Sequence, residues 1–224
     1  MNESLKNLQE WEKLYLSTPL KVWGNQPVQF VDYYVEYFKT TLSEESKVLD
    51  AGSGEGRNLI SLSKLPGKLY AIDGSISALS KIDQDLKETV HITHANLETT
   101  PYENETFDLI FGIDIVETLP CIELVLNEFF RILKKGGYLI CNIPNEEDQI
   151  FGIDMQHHKK VTDAWLYKSK YFYRFFKREE VVELYNKAGF SILESKRFEW
   201  QEQAHPNFRS QEHTHVSQVY VAQK

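Results

Sequence analysis

The sequence predicts an α/β fold, a doubly wound and mostly parallel seven-stranded sheet with helices on both faces. Three observations predict it. Short apolar runs alternate with helical stretches from residue 47 onward, which is the pattern of β-α units. Residues 47–57, Lys-Val-Leu-Asp-Ala-Gly-Ser-Gly-Glu-Gly-Arg, pass from an apolar strand through a glycine loop into a helix, so the backbone can approach a ligand closely. Asp50, Asp73 and Asn96 each fall at the carboxyl end of a strand, the side on which open α/β sheets bind ligands.

The elements follow in order. The first 45 residues read as two helices, with apolar stripes Leu5, Leu8, Trp11, Tyr15 and Phe30, Tyr33, Tyr34, Tyr37, Phe38; a breaker-rich linker, 19–27, carries Trp23. Strands are expected at 47–51, 68–73, 90–95, 107–113 and 137–143. A helix at 121–134 should end on Lys134-Lys135-Gly136-Gly137, with positive charge in the last turn and glycine after it. Another runs from Arg178-Glu179-Glu180 to Gly189, followed by strands at 190–198 and 214–222.

Composition narrows the function. The 224 residues suit one domain. A net charge of −8 and a pI near 5.4 argue against a nucleic-acid backbone as the main partner. Cys121 and Cys141 match no metal spacing and read as small buried residues of a reducing cytoplasm. No apolar run reaches membrane-spanning length and the amino terminus is polar, so a cytoplasmic protein is expected.

The glycine loop selects among ligands. A dehydrogenase fingerprint needs a third glycine where Arg57 stands, and the Gly-Lys-Ser/Thr ending of a phosphate loop is absent. Asp50 would repel a pyrophosphate but suits the ammonium and sulfonium charges of S-adenosylmethionine. Together with the ordered stretches VLDAGSGEGRN (48–58), LYAIDGS (69–75), ANLETTPYENETFDLIFGIDIVETL (95–119) and LKKGGYLICNIPN (133–145), the chain resembles the class I S-adenosylmethionine-dependent methyltransferases. Its nearest flavour is the small-molecule branch that includes tellurite- and thiopurine-methylating enzymes.

That resemblance implies a Rossmann-like methyltransferase fold with strand order 3-2-1-4-5-7-6, the last two strands forming an antiparallel edge. It implies a single domain, 1–224, divided into a helical cap (1–45), a cofactor core (46–145), a lid or substrate segment (146–178) and a C-terminal helix with a strand hairpin (179–224). Asp50 and Ala51 would orient the methionine end of the cofactor, with Gly52 and Gly54 as its cradle. Asp73, followed by Gly74, would accept from both ribose hydroxyls, two acceptor oxygens matching two vicinal donors; capping the next helix is the other role open to it. Asn96 and Leu97 would hold the adenine, and Gly112 and Asp114 would face the reacting methyl. Arg57 pairs either with the cofactor carboxylate or with an acidic neighbour, and Trp23 either closes over the cofactor or packs in the core.

Methyl transfer from a sulfonium is an in-line displacement that needs a base only if the acceptor must lose a proton. His157 and His158 are candidates for it, as is Asp114 at the strand end. His213 and His215, two apart on a strand, share a face. They form either a metal-ligand spacing, with His157, His158 or His205 as a conceivable third ligand, or polar histidines of an edge strand, in water or as a hydrogen-bonded pair; the latter reading is expected, with no metal. Residues 159–178 carry seven Lys or Arg among seven aromatics and read as a mobile lid over an aromatic or anionic small molecule, with a partner interface as the other role open to them. The alternatives are an RNA or protein methyltransferase docking through that segment, or a cofactor-binding protein without catalysis.

Overall fold

The computed structural model describes residues 3–145, 147–148, 159–161, 164–205 and 207–224. Its main sheet has seven strands: β1 (Lys47–Ala51), β2 (Lys68–Asp73), β3 (His91–His94), β4 (Phe107–Gly112), β5 (Leu133–Pro144), β9 (Ser191–Glu202) and β10 (His213–Gln223). The order β3-β2-β1-β4-β5-β10-β9 is the expected one. β1 to β5 run parallel; β10 alone is reversed, pairing antiparallel with both β5 and β9. A second sheet of three short antiparallel strands, β6 (Lys159–Val161), β7 (Ala164–Tyr167) and β8 (Tyr171–Tyr173), comes from the basic-aromatic segment.

Alternation along the strands splits the core into two layers. Leu49, Ile72, Ile110 and Leu139 face one side, against α6 (Ile122–Ile132) and α7 (Arg178–Ala188). Val48, Ala71, Leu109 and Ile140 face the other, against α2 (Gln29–Phe38) and α3 (Leu59–Leu62). A third cluster lies beyond the strand ends, where α1 (Glu3–Ser17) meets β7 and β8 through Leu14, Tyr15, Tyr167, Tyr171, Tyr173 and Phe208. Two further short helices, α4 (Ile76–Ser80) and α5 (Gln84–Thr89), connect β2 to β3.

Several expectations need correction. α1 buries only part of the expected stripe: Tyr15 is buried and Leu8 and Trp11 are half-buried, but Leu5 is exposed, whereas Ser4 and Asn7 are buried. The reason is polar, because Asn7 donates to Thr118 O (2.8 Å) and accepts from Phe172 N (3.1 Å), turning that face inward. Tyr33 and Tyr37 of the second stripe are also exposed. α6 stops at Ile132, not at the lysines, because Leu133 pairs with Phe107 and opens β5; Lys134 instead meets Asp108 (2.7 Å). β9 and β10 extend the C-terminal hairpin toward the ligand side, as far as Glu202 and His213. α7 ends as expected at Gly189, whose φ is +97°.

Gly67 leads into β2 with φ +102°, and a Cβ there would lie 2.2 Å from Ser46 O. Both the left-handed backbone and the collision with main chain demand glycine. Gly67→Ala should therefore lower stability by about 2–3 kcal/mol, seen as a lower urea midpoint at unchanged slope. A change under about 0.5 kcal/mol would contradict the geometry.

Candidate functional site

At the carboxyl end of β1 the chain turns by lying on the end of β2. Gly52 N and Ser53 N both donate to Ile72 O (2.8 and 3.1 Å), and Gly54 N donates to Asp73 Oδ2 (2.9 Å). Gly52 and Gly54 have φ of +73° and +54°. A Cβ on Gly52 would lie 2.4 Å from Ile115 Cγ2, so the loop's close approach to the β4 side requires glycine. Asp73 Oδ1 accepts from Ser75 N (2.8 Å). Ser75 caps α4 by accepting from Ala78 N, which leaves Asp73 clear of that role. Burial raises the Asp73 carboxyl above its ordinary range, and the amides of Ser75 and Gly54 partly offset this. Each oxygen holds one amide and keeps a lone pair for the cleft above it.

That cleft is walled by Gly52, Gly54, Arg57, Asp73, Gly74, Asn96, Leu97, Asp114 and Trp23. Asp50, Ala51 and Gly112 stand behind the wall instead, fully buried. Asp50 thus presents no charge directly to the cleft. Its Oδ2 has no hydrogen-bond partner, and burial, followed by the nearby Asp73, pushes its pKa up to about 7 against a lesser pull from Arg57. Asn96 is exposed two residues past β3, its carbonyl already accepting from Glu98 N (3.0 Å), so its amide donor is the group left for a ligand.

The N-terminal segment roofs the cleft. Glu55 Oε2 accepts from Val22 N and Trp23 N (2.6 and 3.2 Å), while Oε1 pairs with Lys81 (3.0 Å). Trp23 donates to Tyr15 Oη (2.8 Å) and packs edge-on against Phe208 and His205. It therefore packs against a cluster and also lines the cleft.

Arg57 is clamped between Asp114 (2.7 Å) and Glu202 (3.0 Å), the acidic-neighbour alternative. Asp114 holds φ +56°, fixed by Asn142, whose Oδ1 accepts from Asp114 N and whose Nδ2 donates to Asp114 Oδ1. Glu117, three residues on, also lines the cleft. It is 4% exposed and its Oε2 has no hydrogen-bond partner. Burial, then Asp114, holds its carboxyl well above the usual range.

The histidines form a chain. His213 Nδ1 faces Gln211 O (3.1 Å), which can only accept, so that nitrogen carries the proton. Burial and Arg209 depress His213 to about 4, leaving it neutral at pH 7 with Nε2 as acceptor; His215 Nε2 donates to it (2.9 Å). His215 Nδ1 lies 2.9 Å from Asp148 Oδ2, which also accepts from Val216 N. The pair is a hydrogen-bonded relay. Among the described residues no group of three or more such side chains could hold a metal ion. His205 lies beside it, kept neutral by burial and by Arg57 with a pKa of about 3. His157 and His158 lie outside the described residues.

Sequence reasoning missed Glu55, Glu117, Asn142, Asp148 and Glu202. Glu117 sits inside a stretch already singled out for the resemblance, but nothing in its spacing signals burial.

Residues 49–141 match the family model of the methyltransferase domain. That match covers 93 of the 224 residues, the stretch that carries the resemblance to the class I S-adenosylmethionine-dependent methyltransferases. The ubiquinone/menaquinone biosynthesis C-methyltransferase UbiE of Bartonella henselae is 28% identical over 169 residues, 65% of this chain and 64% of that protein. The chain spans about half the length of other curated relatives it matches. Among solved structures, a SAM-dependent methyltransferase of Methanosarcina mazei shares the fold (TM-score 0.67, 18% identity, 89% of this chain and 98% of that one). So does a Burkholderia thailandensis 1,6-didemethyltoxoflavin-N1-methyltransferase with its substrate and S-adenosylhomocysteine bound (TM-score 0.62, 16% identity, 88% and 77%). The closer likeness to tellurite- and thiopurine-methylating enzymes is not specifically shown by these relatives. No helix among the described residues is long and apolar enough to cross a membrane.

Asp50 gives this chain a pH signature. A carboxyl whose folded pKa is raised keeps its proton between the unfolded value, about 3.9, and about 7. Its contribution to stability is therefore lost as pH rises through that window. Asp50→Asn escapes the loss, so its Tm advantage over wild type should grow from pH 5 to pH 8 in thermal melts. A constant or shrinking difference would contradict the assignment.

Proposed function

We propose that this chain transfers the methyl group of S-adenosylmethionine to a small-molecule acceptor. The observation that carries the reading is Asp73: a carboxylate at the end of β2, tied to the glycine loop by one oxygen, with a free lone pair on each oxygen facing the cleft. Two vicinal hydroxyls of a ribose suit that arrangement. The residues present fit the rest of the molecule. Gly52 and Gly54, both at positive φ, bring main chain to the wall of the cleft, and the buried Asp50 behind them has an oxygen without a partner.

S-adenosylmethionine supplies an activated methyl on a sulfonium. The chain's own part is to hold, orient and dry the site. Gly52 and Gly54 carry the methionine end; Asn96 donates to the base and Leu97 packs against it. Arg57 fixes Asp114 at the methyl-facing strand end. Trp11, Trp23 and Phe208 form an apolar wall around the acceptor space. Trp11 and Trp23 come from the cap and Phe208 from the loop of the C-terminal hairpin, and Tyr173 of β8 lines the same cleft, which supports the division into cap, core, lid and hairpin.

The alternative of nucleic-acid docking through 159–178 is disfavoured by packing. Tyr167, Tyr171 and Tyr173 are buried in the third cluster, not offered as stacking platforms. Regulators without turnover are distinguished by assay of methyl transfer. The unpaired Cys121 and Cys141 suit a reducing cytoplasm. The N-methylating neighbour and the C-methylating relative both act on small molecules by their names, which supports the acceptor class without fixing the atom.

Removing two charge-assisted hydrogen bonds of about 1.5 kcal/mol each predicts a loss on the order of 100-fold in affinity. Asp73→Ala should weaken S-adenosylhomocysteine binding by that factor in calorimetry, with Asp73→Asn between the two. An affinity within about twofold of wild type would remove the reading's main support.

A further inference from the structure

The inference concerns the acceptor end of the same cleft and rests on its reading as a methyl-transfer site. Its carboxyl groups are satisfied in different ways. Asp73 holds two amides, Asp114 is held by Arg57 and Asn142, and Glu55 by Lys81 and two amides. Glu117 is different. It lines the same cleft, and its Oε2 is shut off from solvent and meets no donor.

The carboxyl is also rigidly placed. Its 3-10 turn (Val116–Thr118) is pinned from two sides: Asn7 of α1 donates to Thr118 O (2.8 Å), and Arg174 N donates to Glu117 O (2.7 Å). Trp11 stands one helical turn beyond Asn7, on the same face of α1. Its ring lies 5.7 Å from Phe208 and 6.3 Å from Trp23, and all three line the cleft with Tyr173. A buried carboxyl with one oxygen that meets no donor, in a cleft lined by three aromatic rings, is what a cation would complete.

We propose that the acceptor is a basic amine, bound as its ammonium with the Glu117 carboxylate as counter-ion and Trp11, Trp23 and Phe208 around its apolar part. The groups facing Glu117 are Asp114, Asp148, Tyr173 and Cys141, none of which offers it a positive charge. The nearby cation Arg57 is already engaged by Asp114 and Glu202. Without a ligand, burial keeps the Glu117 proton on; an entering ammonium releases that proton to solvent and pairs with the carboxylate.

The proton count then closes. Glu117 carboxylate takes one proton from the ammonium, giving a neutral amine and a neutral carboxylic acid. The nitrogen lone pair forms the N–C bond while the C–S bond breaks, and the sulfur leaves as a neutral thioether. The product departs as a methylated ammonium carrying the charge that the sulfonium brought. Glu117 is on this account both the selecting and the proton-accepting residue. The His213–His215–Asp148 relay is less suited to it, because both His215 nitrogens are already engaged.

The test is calorimetry on the full chain saturated with S-adenosylhomocysteine, titrated with benzylamine and with benzyl alcohol in phosphate and in Tris. Benzylamine should bind at least about tenfold more tightly than the alcohol, and its heat should differ between buffers in the sense of proton release. Glu117→Gln, an isostere of the protonated side chain, should abolish both effects while S-adenosylhomocysteine affinity and Tm stay near wild type. Equal binding of amine and alcohol, binding of neither, or a Gln variant that keeps the preference would overturn the proposal. Failure of S-adenosylhomocysteine itself to bind would instead overturn the methyl-transfer reading, and this proposal with it.

Discussion

The site depends on one crossing: the chain leaves β1 and, rather than turning into solvent, lays three successive amides on the end of β2. Ile72 O takes two of them and Asp73 the third. Backbone donors must be satisfied when buried, and here they are satisfied by the strand that supplies the ligand-facing carboxylate. The loop shape and the Asp73 position therefore determine each other. The left-handed Gly52 and the tight contact with Ile115 carry the constraint across to the β4 side. Arg57, Asp114 and Asn142 continue it to β5 and the hairpin.

Charge in the cleft is handled by burial as much as by pairing. Asp50, Asp73 and Glu117 are all pushed upward by desolvation, whereas His205 and His213 are pushed downward by it. Groups of both kinds thus tend toward their neutral forms. A wall of this sort is costly to charge on its own and responsive to a charged ligand, which suits a site that must hold a cationic methyl donor and then release a neutral thioether.

What was legible in the sequence was what depends on local pattern. The strand-loop-helix at 47–57, the acids at strand ends and the Gly189 stop each follow from spacing and backbone preference, and the strand order followed from the resemblance those motifs carry. What was illegible depends on tertiary approach. α1 turns Ser4 and Asn7 inward because a turn more than a hundred residues away offers Thr118 O. α6 loses its lysine-capped end because Phe107 recruits Leu133 into β5. Asp50 looked like a wall residue because it ends β1, yet the glycine loop passes over it. Glu117 carries no spacing signal, since a lone acid in an apolar stretch reads the same whether it faces water or a buried cleft.

The account's central claim is that the β1–β2 crossing builds an adenosyl-sulfonium site and not a dinucleotide site. Equilibrium titration of the unmodified protein with S-adenosylhomocysteine and, separately, with a nicotinamide dinucleotide tests it most directly. The account predicts saturable one-to-one binding of the first and none of the second. Binding of the dinucleotide alone, or of neither at millimolar concentration, would contradict it.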